Sequence, residues 1–292
     1  MKQSIYTLLI LAFISIFTSC AKEEVEDTRL AYSEDSINPT DEPSRLSRSI
    51  SMNGVNVSST FNFDLERKFE NFVINPDLNV INGLESASVT NDNYLFLTFI
   101  VDPAVDISGA YIYISGADNY WKIELDSINE LLQVNIKIPK HIQAGDFIIE
   151  YRIFDSVGNV SLPRPCFVNI VDQKSGCYDS VSGADGVTVR SYTFDDFIGQ
   201  IRVSYDTYSI PDRVDIRYGN EWIYSTSPTL PNNTHAPIIK RCSDVVLGDG
   251  FLGANDVIYI DYDKSIGERV DVYLSGCLDS STAWDFTISC VQ

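Results

Sequence analysis

The chain offers little to acid–base, nucleophilic or metal chemistry. Its two histidines, His141 and His235, sit beside Pro139-Lys140 and within Pro231-Asn232-Asn233-Thr234. These are turn-like settings that suit solvated side chains better than a catalytic dyad. Asp195-Asp196 is a carboxylate pair in sequence, but neighbouring residues of a strand point to opposite faces and cannot flank one glycosidic bond. Asp261-Tyr262-Asp263-Lys264-Ser265 resembles the opening of a calcium loop. Gly267 stands one place late for that turn and no Glu fills the twelfth position, so a strand end followed by a turn is expected instead. Nucleophile-elbow, zinc-helix and phosphate-loop spacings do not occur. The expectation is a chain without catalytic residues, cofactor or metal.

Recognition chemistry leaves a clearer trace. Trp222-Ile223-Tyr224 follows Gly219-Asn220-Glu221 and precedes a Pro/Asn-rich stretch, 227–237. A flat aromatic face beside carboxylate and amide groups meets both the C–H face and the hydroxyls of a sugar. Asn220, Glu221, Trp222 and Tyr224 are therefore the candidate ligand residues. Trp121, after Asp118-Asn119-Tyr120, is a second candidate for a loop rim, while Trp284 alternates with Phe286 and Ile288 as a core residue would. For Trp222 and Trp121 alike a packing role is the favoured reading.

The elements that must position these residues are strands. The 292 residues suit about two domains, and 44% hydrophobic with 21% charged residues is a folded composition. Arg and Lys number 21 against 41 acidic residues, a net charge of -20. A large basic face for nucleic acid is excluded, and so is adsorption to an anionic bilayer by charge. From Asn75 the apolar period is 2. Tyr94–Val101 is a near-continuous run suited to a buried strand, and alternation follows in 121–125, 134–138, 147–153 and 166–170. A second alternating set runs through 187–189, 201–205, 214–218, 258–262, 270–274 and 284–290. An all-β fold of two sandwich domains is expected: an Ig-like sandwich at 61–172 and a jelly-roll or Ig-like sandwich at 176–292. Residues 20–60 read as a flexible acidic tether broken by Pro39 and Pro43. The spacing Leu65, Phe69, Phe72, Val73 predicts a helical turn leading into the first sandwich.

The N-terminus carries the most specific pattern. Lys2, an apolar run from Ile5 to Phe17 and Phe17-Thr18-Ser19-Cys20 have the layout of an export signal, too short to span a bilayer. They resemble the lipobox of bacterial lipoproteins. That implies cleavage after residue 19, lipidation of Cys20 and anchoring in outer-membrane lipid. Lys22-Glu23-Glu24 then resembles the signal that sends Bacteroidetes lipoproteins to the cell exterior. Asp-(Ser/Thr)-aliphatic triplets resemble O-glycosylation acceptors of the same phylum, with Ser36 and Ser127 the best placed. Gly145-Asp146-Phe147, Tyr151, Asp155 and Gly158-Asn159 are similar to the last hairpin of bacterial Ig-like surface modules. The order of anchor, tether, Ig-like module and terminal sandwich resembles surface glycan-binding lipoproteins of Bacteroidetes. It implies a spacer carrying a terminal glycan-binding module, the partner being polysaccharide. An adhesion protein contacting host or neighbouring-cell proteins is the alternative.

Export implies an oxidising compartment and disulfides. Besides Cys20, the chain has Cys166, Cys177, Cys242, Cys277 and Cys290, and one free thiol with two bridges allows about 15 arrangements. The preferred one ties the ends of the terminal module through Cys177 and Cys290, pairs Cys242 with Cys277, and leaves Cys166 a buried thiol. No CxxC with a nearby His suggests zinc.

Overall fold

The computed structural model describes residues 36–55, 65–67, 72–78, 80–83, 86–101, 107–124, 131–231, 240–278 and 282–291. Period-2 patterning becomes paired strands throughout. The first part holds α1 (Pro43–Ser49), β1 (Ser51–Val55), β2 (Leu65–Arg67), β3 (Val80–Gly83), β4 (Ser86–Thr90), β5 (Tyr94–Val101), β6 (Gly109–Ile114), β7 (Asn119–Glu124), β8 (Leu131–Lys137), β9 (Gly145–Phe154) and β10 (Arg164–Val171). The second holds β11 (Lys174–Ser175), β12 (Tyr178–Gly183), β13 (Gly186–Thr193), β14 (Gly199–Asp206), β15 (Asp212–Tyr218), β16 (Glu221–Ser225), β17 (Asn255–Tyr262), β18 (Val270–Gly276) and β19 (Trp284–Val291).

The described strands form three sheets. A four-stranded sheet has the order β1-β8-β5-β3 and another β12-β19-β14-β17. The third is an 11-stranded sheet, β16-β15-β18-β13-β4-β10-β9-β6-β7-β2, with β11 also on β13. The two sandwiches are therefore not beads on a string. Parallel pairing of β13 with β4, Thr188 opposite Ser88 and Val189 opposite Val89, makes one sheet of both. Residues 37–292 form a single unit by internal contact.

Each sandwich keeps its own core. Ile112, Ile123, Ile136, Ile149 and Ile153 fill the first, and Ile201, Val203, Val272, Trp284 and Phe286 the second. At the seam the filling is polar. The Asn93 amide donates to Ser191 Oγ at 3.1 Å and to Asp271 Oδ1 at 3.3 Å, and the Tyr273 hydroxyl donates to Asn93 Oδ1 at 3.2 Å. Arg269 pairs with Asp271 at 3.0 Å and with Asp92 at 3.3 Å. Burial raises the Asp271 pKa, opposed by Arg269 and by the Ser191 hydrogen bond. Buried polar groups with every partner in place fix one geometry, because slippage would strand them without water.

Two expectations need correction. The tether reading fails from Ile37 onward. Ile37, Leu46 and Ile50 are buried, Ile37 bridges Ile142, and β1 pairs with β8. Apolar residues so widely spaced give no periodic signal, yet each fills a site on the first sandwich. Gly145 lets this arm lie close, since a Cβ there would stand 2.9 Å from the Pro39 ring. Where a helical turn is expected from Leu65, residues 65–67 form β2, an edge strand whose backbone bonds to β7 rather than to itself; Phe69 lies outside the described residues.

The β9–β10 hairpin turn shows why Asp155, Gly158 and Asn159 recur together. The Asp155 carboxylate accepts the backbone N–H of Val157 at 3.1 Å and of Asn159 at 2.8 Å. Gly158 takes the φ of 89° that a side chain would resist. Among the described residues two disulfides are present. Cys177–Cys290 joins the start of the second sandwich to its last strand, Cys242–Cys277 pins the 240–244 segment to the end of β18, and Cys166 is a buried thiol.

Candidate functional site

A broad concavity lies where the sandwiches meet. It is a groove of about 850 Å³ whose floor is the shared sheet. Strand alternation sets what faces it. Along β10, Cys166, Val168 and Ile170 turn inward, so Phe167 and Asn169 turn out. The registers Ser88↔Asn169 and Asn169↔Asp146 place Ser88 of β4, Asn169 of β10 and Asp146 of β9 in one row. Arg190 of β13 completes it. Its Nη2 donates to Ser88 Oγ at 2.9 Å, Ser88 Oγ donates to Asn169 Oδ1 at 3.3 Å, and Asn169 Nδ2 donates to Asp146 Oδ1 at 2.7 Å.

Beside this ladder stands Phe167, between Ser86 and Ile148 in register and 58% exposed. An aromatic ring left in water on a concave floor is the unusual feature here. One wall is the N-terminal arm, held by the Thr40 hydroxyl donating to the Asp146 carbonyl at 3.0 Å. The other is the 183–185 turn. The Trp284 indole N–H donates to the Ala184 carbonyl at 2.8 Å, and the Thr282 amide to Asp185 Oδ1 at 3.0 Å. Gly183 is required there, because a Cβ would fall 2.1 Å from the Trp284 ring.

Electrostatically the groove combines a half-buried guanidinium with two carboxylates, Asp146 and Asp185. Burial lowers the Arg190 pKa, opposed by the nearby Asp179 and Tyr192. Arginine stays charged regardless, so a partly dehydrated fork of donors faces the groove. The site therefore offers one stacking face, a cationic donor, an amide and two carboxylate acceptors.

The residues singled out in the sequence lie elsewhere. Trp222 is half-buried on β16 and packs on Tyr273 with ring centroids 4.9 Å apart, against the first core. Tyr224 is bound by its hydroxyl to the Tyr205 hydroxyl at 3.0 Å. Asn220 and Glu221 are exposed at the β15–β16 turn, where Asn220 Oδ1 lies 3.5 Å from Arg217 Nη2. Trp121 is buried in β7, not at a rim. Asp263 caps a turn by accepting the Ser265 amide at 2.8 Å, and Asp261 accepts the Gln200 amide at 2.9 Å. His141 is half-buried in the turn before β9, and Ser36 is exposed. Cys20, Lys22, Glu23, Glu24, Ser127 and His235 lie outside the described residues. Among the described residues no cluster of three or more His, Cys, Asp or Glu could hold a metal.

Phe167 had a legible signal: an aromatic residue in the polar phase of an alternating strand. Arg190 and the row it completes had none, since their meeting depends on β4 pairing with β13 across about a hundred residues.

No family model matches the chain, and no curated protein does. Solved structures resemble it as sandwich modules. The fibronectin(III)-like modules of Clostridium thermocellum CbhA overlap 33% of this chain and 99% of their own, at 13% identity and a TM-score of 0.24. A chimeric titin tandem overlaps 68% of this chain and 85% of its own, at 12% identity and a TM-score of 0.24. The SGBP-B protein of a Bacteroides ovatus mixed-linkage glucan utilization locus, solved with a heptasaccharide, overlaps 70% of this chain and 50% of its own, at 10% identity and a TM-score of 0.20.

Proposed function

We propose that the chain is a glycan-capturing protein of the bacterial cell surface, held in the outer membrane through a lipidated Cys20, with its saccharide site in the junction groove. The observation that carries this is Phe167, exposed on a concave floor beside the Arg190–Ser88–Asn169–Asp146 ladder. The ring offers its face to sugar C–H groups, while guanidinium, amide and carboxylate take hydroxyls. Both sandwiches build the site. Thr188, Arg190 and the 183–185 wall come from the terminal module, and Phe167, Asn169 and Asp146 from the Ig-like one. The Ig-like module is on this reading a half of the binder as well as its mount. On this reading the site captures its ligand, with Asp146, held by Asn169, and Asp185, held by the Thr282 amide, as acceptors for sugar hydroxyls.

A glycan array probed with the full-length chain, followed by calorimetry on each hit, tests the reading. Phe167→Ala should weaken binding at least tenfold, about 1.4 kcal/mol, without lowering the melting temperature, and Arg190→Ala should weaken it by at least as much. Hits untouched by both variants would refute the groove. Silence across the array would leave adhesion to protein as the better reading.

A further inference from the structure

We infer that the outward face of the sheet β12-β19-β14-β17 is a second carbohydrate-binding surface, built for an extended neutral polysaccharide lying across Tyr178, Arg202 and Tyr259. The registers put these residues in one row. Tyr178 stands opposite Ser289, Ser289 opposite Arg202, and Arg202 opposite Tyr259. The inward phase of the same strands is the buried Ile201, Val203, Ile260 and Ile288, so the row faces away from the core. Tyr178 is 68% exposed and Tyr259 55%. Three strand spacings separate the two rings, roughly 14 Å, which is the reach of a short oligosaccharide rather than of a single sugar.

The surroundings select the occupant. The next row carries the hydroxyls of Ser180, Thr287 and Ser204. Beyond it Asp285, Asp206 and Asn255 open onto a depression of about 400 Å³ that Asp256 also lines. The Tyr208 hydroxyl donates to Asp285 at its edge. Carboxylates and an amide there accept hydrogen bonds, matching a ligand rich in hydroxyl donors. Arg202 supplies donors in the middle of the row, with Nη1 on Ser204 Oγ at 3.3 Å. A polyanionic glycan would meet Asp206, Asp256 and Asp285 on a chain of net charge -20, which is repulsive. A protein partner would want a buried apolar centre, and the exposed aliphatics of β17 and β19 are Val257 and Val291 at 37% and 36%. Flat rings, hydroxyls and acceptors without a greasy centre suit a neutral sugar chain.

Affinity electrophoresis of the full-length chain provides the test, in gels carrying hydroxyethylcellulose, galactomannan or soluble starch, with polygalacturonate as the acidic probe. A Phe167→Ala background separates this face from the groove. Retardation should persist in at least one neutral gel in that background. Adding Tyr178→Ala and Tyr259→Ala should weaken it tenfold or more, whereas Tyr178→Phe with Tyr259→Phe, which keeps the rings and the fold, should hold it within threefold. No neutral retardation in the Phe167→Ala background, retention only by polygalacturonate, or retention indifferent to the Ala pair would each overturn the inference and leave the groove reading where it stood.

Discussion

Asp212 makes the stability of the terminal sandwich depend on pH in an unusual direction. Its carboxylate is fully buried at the start of β15. Thr282 Oγ1 lies 2.7 and 2.6 Å from its two oxygens, and the Cys277 amide donates at 3.3 Å. Burial pushes its pKa from 3.8 to about 7, with the Thr282 and Cys277 hydrogen bonds opposing and the nearby Asp185 charge reinforcing the rise. The folded chain thus keeps a proton that the unfolded chain has already released. Between pH 3.8 and 7 stability falls as pH rises, and above 7 it levels off, since neither state then holds the proton. At 1.36 kcal/mol per pH unit the loss totals about 4 kcal/mol. Asp212→Asn cannot titrate but can still accept from Thr282. Urea unfolding of both chains from pH 4 to 8.5, followed by fluorescence and linear extrapolation, reads the difference directly, because other carboxylates titrate in both and cancel. The variant should gain about 4 kcal/mol relative to the parent between pH 4 and 8. Stability profiles running parallel within about 1 kcal/mol would refute the account.

Trp222→Ala should lower unfolding stability by about 2 kcal/mol, half the cost of emptying a fully buried aromatic site, because the indole is packed on Tyr273. Glycan affinity should stay unchanged in the same preparation; a tenfold loss of binding without loss of stability would return Trp222 to the ligand site. Cys20→Ala should abolish metabolic lipid labelling and release the chain from the membrane fraction, and a variant that still labels and sediments with membranes would exclude the lipid anchor.

The strand pattern of both sandwiches was legible because alternation reports one buried face directly. Val203, Ile260 and Ile288 announced theirs in this way. The helical spacing at Leu65, Phe69, Phe72 and Val73 misled because a few apolar residues fit either period. The arm was missed for a related reason. Ile37, Leu46 and Ile50 all join the first core, but they are too widely spaced for any period to record it. For Trp222, residue type says that an aromatic face exists but not which way it is turned, and the structure sets the ring beside Tyr273. Tyr178 and Tyr259 lay in the outward phase of their strands and could have been found by the logic that finds Phe167. What composition could not carry was the β4–β13 pairing, a choice among many parallel partners made by burial at long range.

That pairing also decides how a ligand would be held. The groove floor crosses the junction on only two register pairs, Thr188↔Ser88 and Val189↔Val89, too few to hold two sandwiches rigid through backbone bonds alone. The rigidity comes from beneath. Thr90 Oγ1 donates to the Val189 carbonyl at 3.3 Å and accepts the Ser191 amide at 3.0 Å, while Asn93 and Asp271 lock Ser191. These groups are buried, so opening the seam would leave several without partners at about 1–3 kcal/mol each. The Arg190–Ser88 bond, which spans the two modules on the ligand side, is therefore set before any sugar arrives. A site whose halves are already in register spends little binding energy on ordering itself, and a linker between free modules could not provide that.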